Sequence, residues 1–141
     1  MIQLPASASD DDILNAIRDW IEVLAEDNFE AGYAMLRHSP DEPWTPEFLR
    51  IWISNYGWHD PMKDGSTFQV TSWETATRTP SSPQKQYTAV EHYSLPAVNG
   101  AMGYVHFDLP LNGSWSDLTA IFSFFNVEGF IVLQLDDVHV L

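Results

Sequence analysis

Cysteine is missing altogether from the 141 residues. Its absence excludes disulfides, thiolate metal sites and a cysteine nucleophile. It is compatible with the cytoplasm, which is the location expected here. Positive charge is scarce: 6 Lys and Arg stand against 20 Asp and Glu, a formal net charge of −14. With no basic stripe, a phosphate backbone finds nothing to neutralise it, so nucleic acid is not expected as a partner. A basic protein or a cationic ligand fits that charge, and so does plain solubility. No apolar run approaches the roughly 20 residues that span a bilayer, and no membrane partner is expected. The opening MIQLPASASDDD has neither a basic flank nor an apolar core and does not read as a signal peptide. Repeats, phosphate-cradling glycine motifs and the G-x-S-x-G nucleophile elbow are also missing, and no cofactor is implied.

What is present is a sizeable core. Hydrophobic residues make up 45% of the chain, and the length suits one domain over 1–141. The first half has helical periodicity. In SDDDILNAIRDWIEVLAE, Ile13, Leu14, Ile17, Ile21 and Leu24 recur at helical spacing, with Trp20 beside them. Ser9 or Asp10 can cap that helix, and Asp11 and Asp12 suit its positive end. DNFEAGYAMLR predicts a shorter helix with Phe29, Tyr33 and Leu36 on one side. TPEFLRIWISNYG predicts a third, with Thr45 as N-cap, Pro46 at the first helical position and Gly57 at the end. Phe48, Leu49, Trp52, Ile53 and Tyr56 would form its buried face.

Beyond WHDPMKDGS the period falls to two. TFQVTSWETATR, KQYTAVEHYSL, MGYVHFDLPL, WSDLTAIFSFF and FIVLQLDDVHVL predict strands joined by short polar turns, an antiparallel meander. Helices first and strands after predict an α+β fold, with the N-terminal helices packed on one face of a curved antiparallel sheet. By strand parity, Val105, Phe107, Leu109 and Leu111, and likewise Leu118, Ala120, Phe122 and Phe124, face the helices. His106 and Asp108, with Trp115, Asp117, Thr119 and Ile121, take the opposite, mixed face. Such a face is half-solvated or serves as a dimer surface.

The same parity puts Ile131, Leu133, Leu135, Asp137, His139 and Leu141 on the core side of the last strand. Asp137 and His139 are therefore the candidate catalytic pair: the aspartate would orient the imidazole, and the histidine would act as general base or acid. The competing reading is that polar residues resurface where a chain ends. Two ligands do not make a metal site, and none is expected. His59 beside Asp60 is a possible loop contributor. His92 and His106 are expected at solvent or an interface. Trp44, Trp58 and Trp115 stand at element edges, where they could rim a cavity or an interface. Asp41 and Glu42 read as solvated loop acids.

The order of elements, and the phrase AEDNFEAGYAML opening a short second helix, resemble the nuclear transport factor 2-like superfamily, the cystatin-like cone fold. The ending WSDLTAIFSFF…LQLDDVHVL is similar to the close of small bacterial families with no assigned activity. One departure is the lack of a strand pair between the second and third helices. The resemblance implies a cavity between sheet and helices, where Tyr33, Trp52 and Phe122 would contact a ligand or, with Phe124, fill the space. The missing catalytic constellation, the mixed outer sheet face and the acidic surface point to a non-enzymatic binding or dimerisation module, expected as a homodimer, taking a small apolar ligand or a basic protein. The alternative that the resemblance implies is a small cone enzyme of isomerase, dehydratase or hydrolase type, with Asp137 and His139 in the cavity. Fold alone does not decide between them.

Overall fold

The computed structural model describes residues 1–78 and 88–141. Strand β1 (Leu4–Pro5) precedes helices α1 (Asp10–Ala25), α2 (Phe29–Ala34) and α3 (Pro46–Ser54). Strands β2 (Thr88–His92), β3 (Gly103–Leu111), β4 (Ser114–Val127) and β5 (Phe130–Val140) follow. The order β1-β5-β4-β3-β2 makes a curled antiparallel sheet, and the architecture is α+β with N-terminal helices on that sheet. No helix among the described residues is long and apolar enough to cross a membrane.

Local chemistry sets the helix ends. Ser9 caps α1 in a capping box: its hydroxyl accepts from the Asp12 N–H at 3.1 Å, and the Asp12 carboxylate accepts from the Ser9 N–H at 3.0 Å. Thr45 caps α3 by accepting from the Phe48 N–H, with Pro46 at the first position. The end of α3 differs from expectation. Tyr56, not Gly57, turns the chain left-handed first, at φ 58°. The Tyr56 and Gly57 N–H groups then donate to the Ile53 and Trp52 carbonyls, a Schellman-type closure. Gly57 follows at φ 77°, and a Cβ there would lie 2.6 Å from Leu118 Cδ1 and 3.2 Å from the Val138 carbonyl. That close approach pins the end of α3 to the ends of β4 and β5.

The expected faces of β3 and β4 hold: Val105, Phe107, Leu109, Leu111, Leu118, Ala120, Phe122 and Phe124 are all buried. Helix α1 sends the fully buried Trp20 against Phe122, edge to face at 5.2 Å. Each such side chain contributes about 1.5–3 kcal/mol by leaving water. On α3, Leu49 and Ile53 are buried, whereas Phe48 is exposed.

Two strand expectations need correction. TFQVTSWETATR forms no regular strand; it touches the sheet at isolated bridges, Val70 with Leu111 and Thr77 with Ser114. Backbone bonds such as Thr71 N–H to the Pro110 carbonyl hold it there, and side chains take two further N–H groups. Glu22 accepts from the Trp73 N–H, and the Asn112 side-chain oxygen accepts from the Gln69 N–H. The neighbouring Pro110 has no N–H to extend a ladder. The predicted turn at 79–84 and the first three residues of the next predicted strand lie outside the described residues.

The second correction concerns β5. Ile121 pairs with Asp137 but Phe122 pairs with Leu135, so Asp136 is an extra, bulged residue. A bulge of one residue exchanges the faces of everything after it. Val138 is consequently fully buried, and Asp137 and His139 turn to the outer face, away from the helices. The strand expected to carry them into the core carries them out.

Candidate functional site

The register aligns nine side chains on that outer face in three rows across β3, β4 and β5. The rows are Tyr104–Ser123–Gln134, His106–Ile121–Asp137 and Asp108–Thr119–His139. Cross-strand partners share a face and stand about 4.5–5.5 Å apart at Cβ, so each row is a line of touching groups.

Hydrogen bonds organise the rows. His139 Nδ1 lies 2.7 Å from Asp137 Oδ2. The other oxygen of Asp137 accepts the Val138 N–H at 2.7 Å. Asp137 thus holds the bulged backbone and the imidazole at once. No described residue hydrogen-bonds His139 Nε2, so that atom is available to a proton or a ligand. The pair is half-exposed, at 40% for His139 and 48% for Asp137. Thr119, buried, donates to Asp108 Oδ1 at 2.7 Å. Ser123 donates to Asp136, and the Gln134 amide nitrogen donates to the same carboxylate at 3.2 Å. Arg37 closes this end: it donates to Gln134 Oε1 at 2.7 Å, with its guanidinium 4.1 Å from the Phe125 ring centre. Beneath it lies a small second core of Ala101, Phe125 and Val132.

Two groups at this face titrate away from their ordinary values. Burial pushes the His106 imidazole down, the nearby His139 pushes it further, and Asp108 partly opposes both. Burial raises the Asp136 carboxyl against the lowering effect of Ser123 and Gln134, with Asp137 and Glu42 adding to the rise. Asp136 is exposed as a residue, but its carboxylate end is crowded by those partners, and the crowding sets its titration. The face therefore favours a neutral imidazole on β3 and, across β4 on β5, a carboxyl reluctant to ionise.

The other sequence-derived candidates are dispersed. Tyr33 stacks on His38 at 3.7 Å, Trp52 donates its indole N–H to the Val138 carbonyl at 2.6 Å, and Phe122 is fully buried against Trp20. None of the three lines the clefts beside α3, along residues 55–64 or beside β1. Trp20, Phe107, Phe122 and Phe124 occupy the space between helices and sheet. Trp44 is core, and its indole donates to the Leu135 carbonyl at 3.1 Å. Glu42 is not solvated: its side chain is 9% exposed and accepts from the Ser39 N–H and pairs with His38. His92 pairs with Asp10, and His59 with Asp60. Among the described residues, no group of three or more His, Asp or Glu is placed to hold a metal ion.

Parity of the whole strand missed the Asp136 bulge, yet a signal is there. In LQLDDVHV the apolar positions are 133 and 135, then 138 and 140. That change of phase between two aspartates marks an inserted residue. In comparison with known proteins, the chain matches no family model, no curated protein and no solved structure.

Proposed function

We propose that this protein is a cytoplasmic binding module, a divergent relative of the nuclear transport factor 2-like cones, that docks a basic protein partner on the outer face of its sheet. The carrying observation is the row arrangement, in which Ile121 stands between half-exposed His106 and Asp137, with His139 beside them. A centre with one apolar group and a rim of directed polar groups is how protein interfaces are built. The net charge of −14 favours a cationic partner and speeds its encounter. A second copy is the less favoured occupant, because two such faces would set like charges against each other.

The test is a fluorescence titration with an arginine-rich peptide. Asp137→Asn should weaken binding about 5-fold or more, in line with a lost charge-assisted contact. Asp64→Asn, which removes the same charge from a remote loop, should weaken it less than about 2-fold. Equal effects would mean diffuse attraction and would sink the docking face. Sedimentation equilibrium decides the occupant: a dimer broken by Ile121→Arg would give the face to a second copy.

One contact favours a second reading, proton transfer at His139 Nε2: the 2.7 Å hydrogen bond to Asp137 is the geometry an acid–imidazole pair requires. Such a site would work in the open on the sheet surface. Any turnover that survives both Asp137→Ala and His139→Ala would rule that reading out.

A further inference from the structure

A cleft on the opposite side of the molecule has the make-up of a small-molecule site. It opens between the end of α1, α3 and the segment 67–70, and encloses about 330 Å³. Pockets for small ligands start near that size, roughly 300 Å³. Leu24, Phe29, Ile53 and Val70, all at most 5% exposed, are its floor and belong to the core, and the half-buried Ala25 and Phe68 are the apolar groups open to the cleft. Ser54 and Gln69 add neutral hydrogen-bonding groups to the lining.

The one cation in the lining is Arg50. Its guanidinium carbon sits 4.9 Å from the centre of the Phe29 ring, which fixes its plane near an apolar wall. Nη1 donates to Asp27 at 3.3 Å. Nε lies 3.7 Å from Glu47, too far for a hydrogen bond, and although shielded from water it has no hydrogen-bond partner. Both acids are open to solvent, at 72% and 71% exposed, so they neutralise the guanidinium weakly. Nε is closed to solvent, so a ligand meets the Nη1 and Nη2 end of the planar fork, which is matched by a carboxylate on an apolar body.

We infer that this cleft binds a small organic carboxylate, its apolar body against Phe68 and Ala25 and its carboxylate on Arg50. The site is independent of the outer sheet face. Asp27, itself in the lining, and Glu47 lie within 4 Å of the guanidinium, inside the screening length of about 8 Å, so they compete with an incoming carboxylate and keep the affinity modest.

The probe is 3-phenylpropionate, with its neutral amide as control, titrated into the full chain and followed by amide NMR shifts. The acid should bind saturably, with shifts concentrated in residues 24–29, 50–54 and 67–70. The amide should bind about 10-fold more weakly, as should the acid to Arg50→Gln. Arg50→Gln also loosens Asp27, so Ser54→Leu, which fills the cleft and keeps the guanidinium, is the second variant and should abolish binding. The inference is overturned by an absence of saturable shifts up to about 10 mM acid, where even a millimolar complex would form. Equal binding of the amide, undiminished binding by either variant, or shifts confined to other residues would overturn it as well.

Discussion

Tyr56 combines three jobs that pull on one another. Its backbone is left-handed, which costs a non-glycine residue roughly 1 kcal/mol or more. Its ring packs on Phe68 at 4.7 Å, and its hydroxyl donates to Asp117. Those two contacts hold the turn that ends α3 and sets Gly57 against β5. Burial, with the hydrogen bond and the charge of Asp117, pushes the phenol from 10.0 up to about 12. Between those values the unfolded chain loses its proton while the folded chain keeps it. The stability Tyr56 contributes is therefore complete below pH 10 and lost as pH rises to about 12. Urea midpoints should fall more between about pH 9 and 11.5 in the wild type than in Tyr56→Phe. Identical falls would show that the hydroxyl is not held by Asp117.

At the scale of elements, β5 is the informative strand. The two-residue β1 pairs with Phe130 and Ile131 alone and leaves most of that edge without a strand. Exposed edges invite pairing with other chains. Here the Arg37 N–H and the indole N–H groups of Trp44 and Trp52 donate to the carbonyls of Leu133, Leu135 and Val138. Three donors from the helical half thus act as a substitute strand. Trp52→Phe keeps the aromatic contacts with Trp44 and Phe48 but removes one donor. It should cost about 1–2 kcal/mol in urea unfolding, and amide exchange over 136–140 should quicken. Unchanged exchange there would mean that the indole does not guard the edge. The sequence showed Trp44 and Trp52 as aromatic residues near helix α3, but not their polar ends. An indole N–H finds its acceptor only when distant segments meet.

At the scale of the molecule, charge sets stability and association in opposite directions. The like charges behind −14 repel one another in the compact state. Sodium chloride from about 20 to 300 mM should raise the thermal midpoint by about 3–5 °C, worth about 1 kcal/mol for a chain of this size. The same salt should weaken the arginine-rich peptide. A midpoint that does not move would show that local pairs already balance the surface.

The sequence by itself determined the three helices, the meander and the inward faces of β3 and β4. These follow from interactions a few residues apart: Ser9 with Asp12, Thr45 with Phe48, and strict alternation from Val105 to Leu111. Tertiary structure decided the rest. TFQVTSWETATR alternates like a strand, but it meets β3 and β4 through isolated bridges, and Glu22 and Asn112, far along the chain, take its Trp73 and Gln69 N–H groups. Between helices and sheet, where the resemblance implied a cavity, Trp20 meets Phe122 across more than a hundred residues. Asp137 and His139 were legible as a pair, because they lie two apart on one strand. Which face they serve was fixed by register against β4, where one extra aspartate, Asp136, reverses the alternation. Periodicity reports which residues share a face; only pairing with a neighbour fixes which face that is.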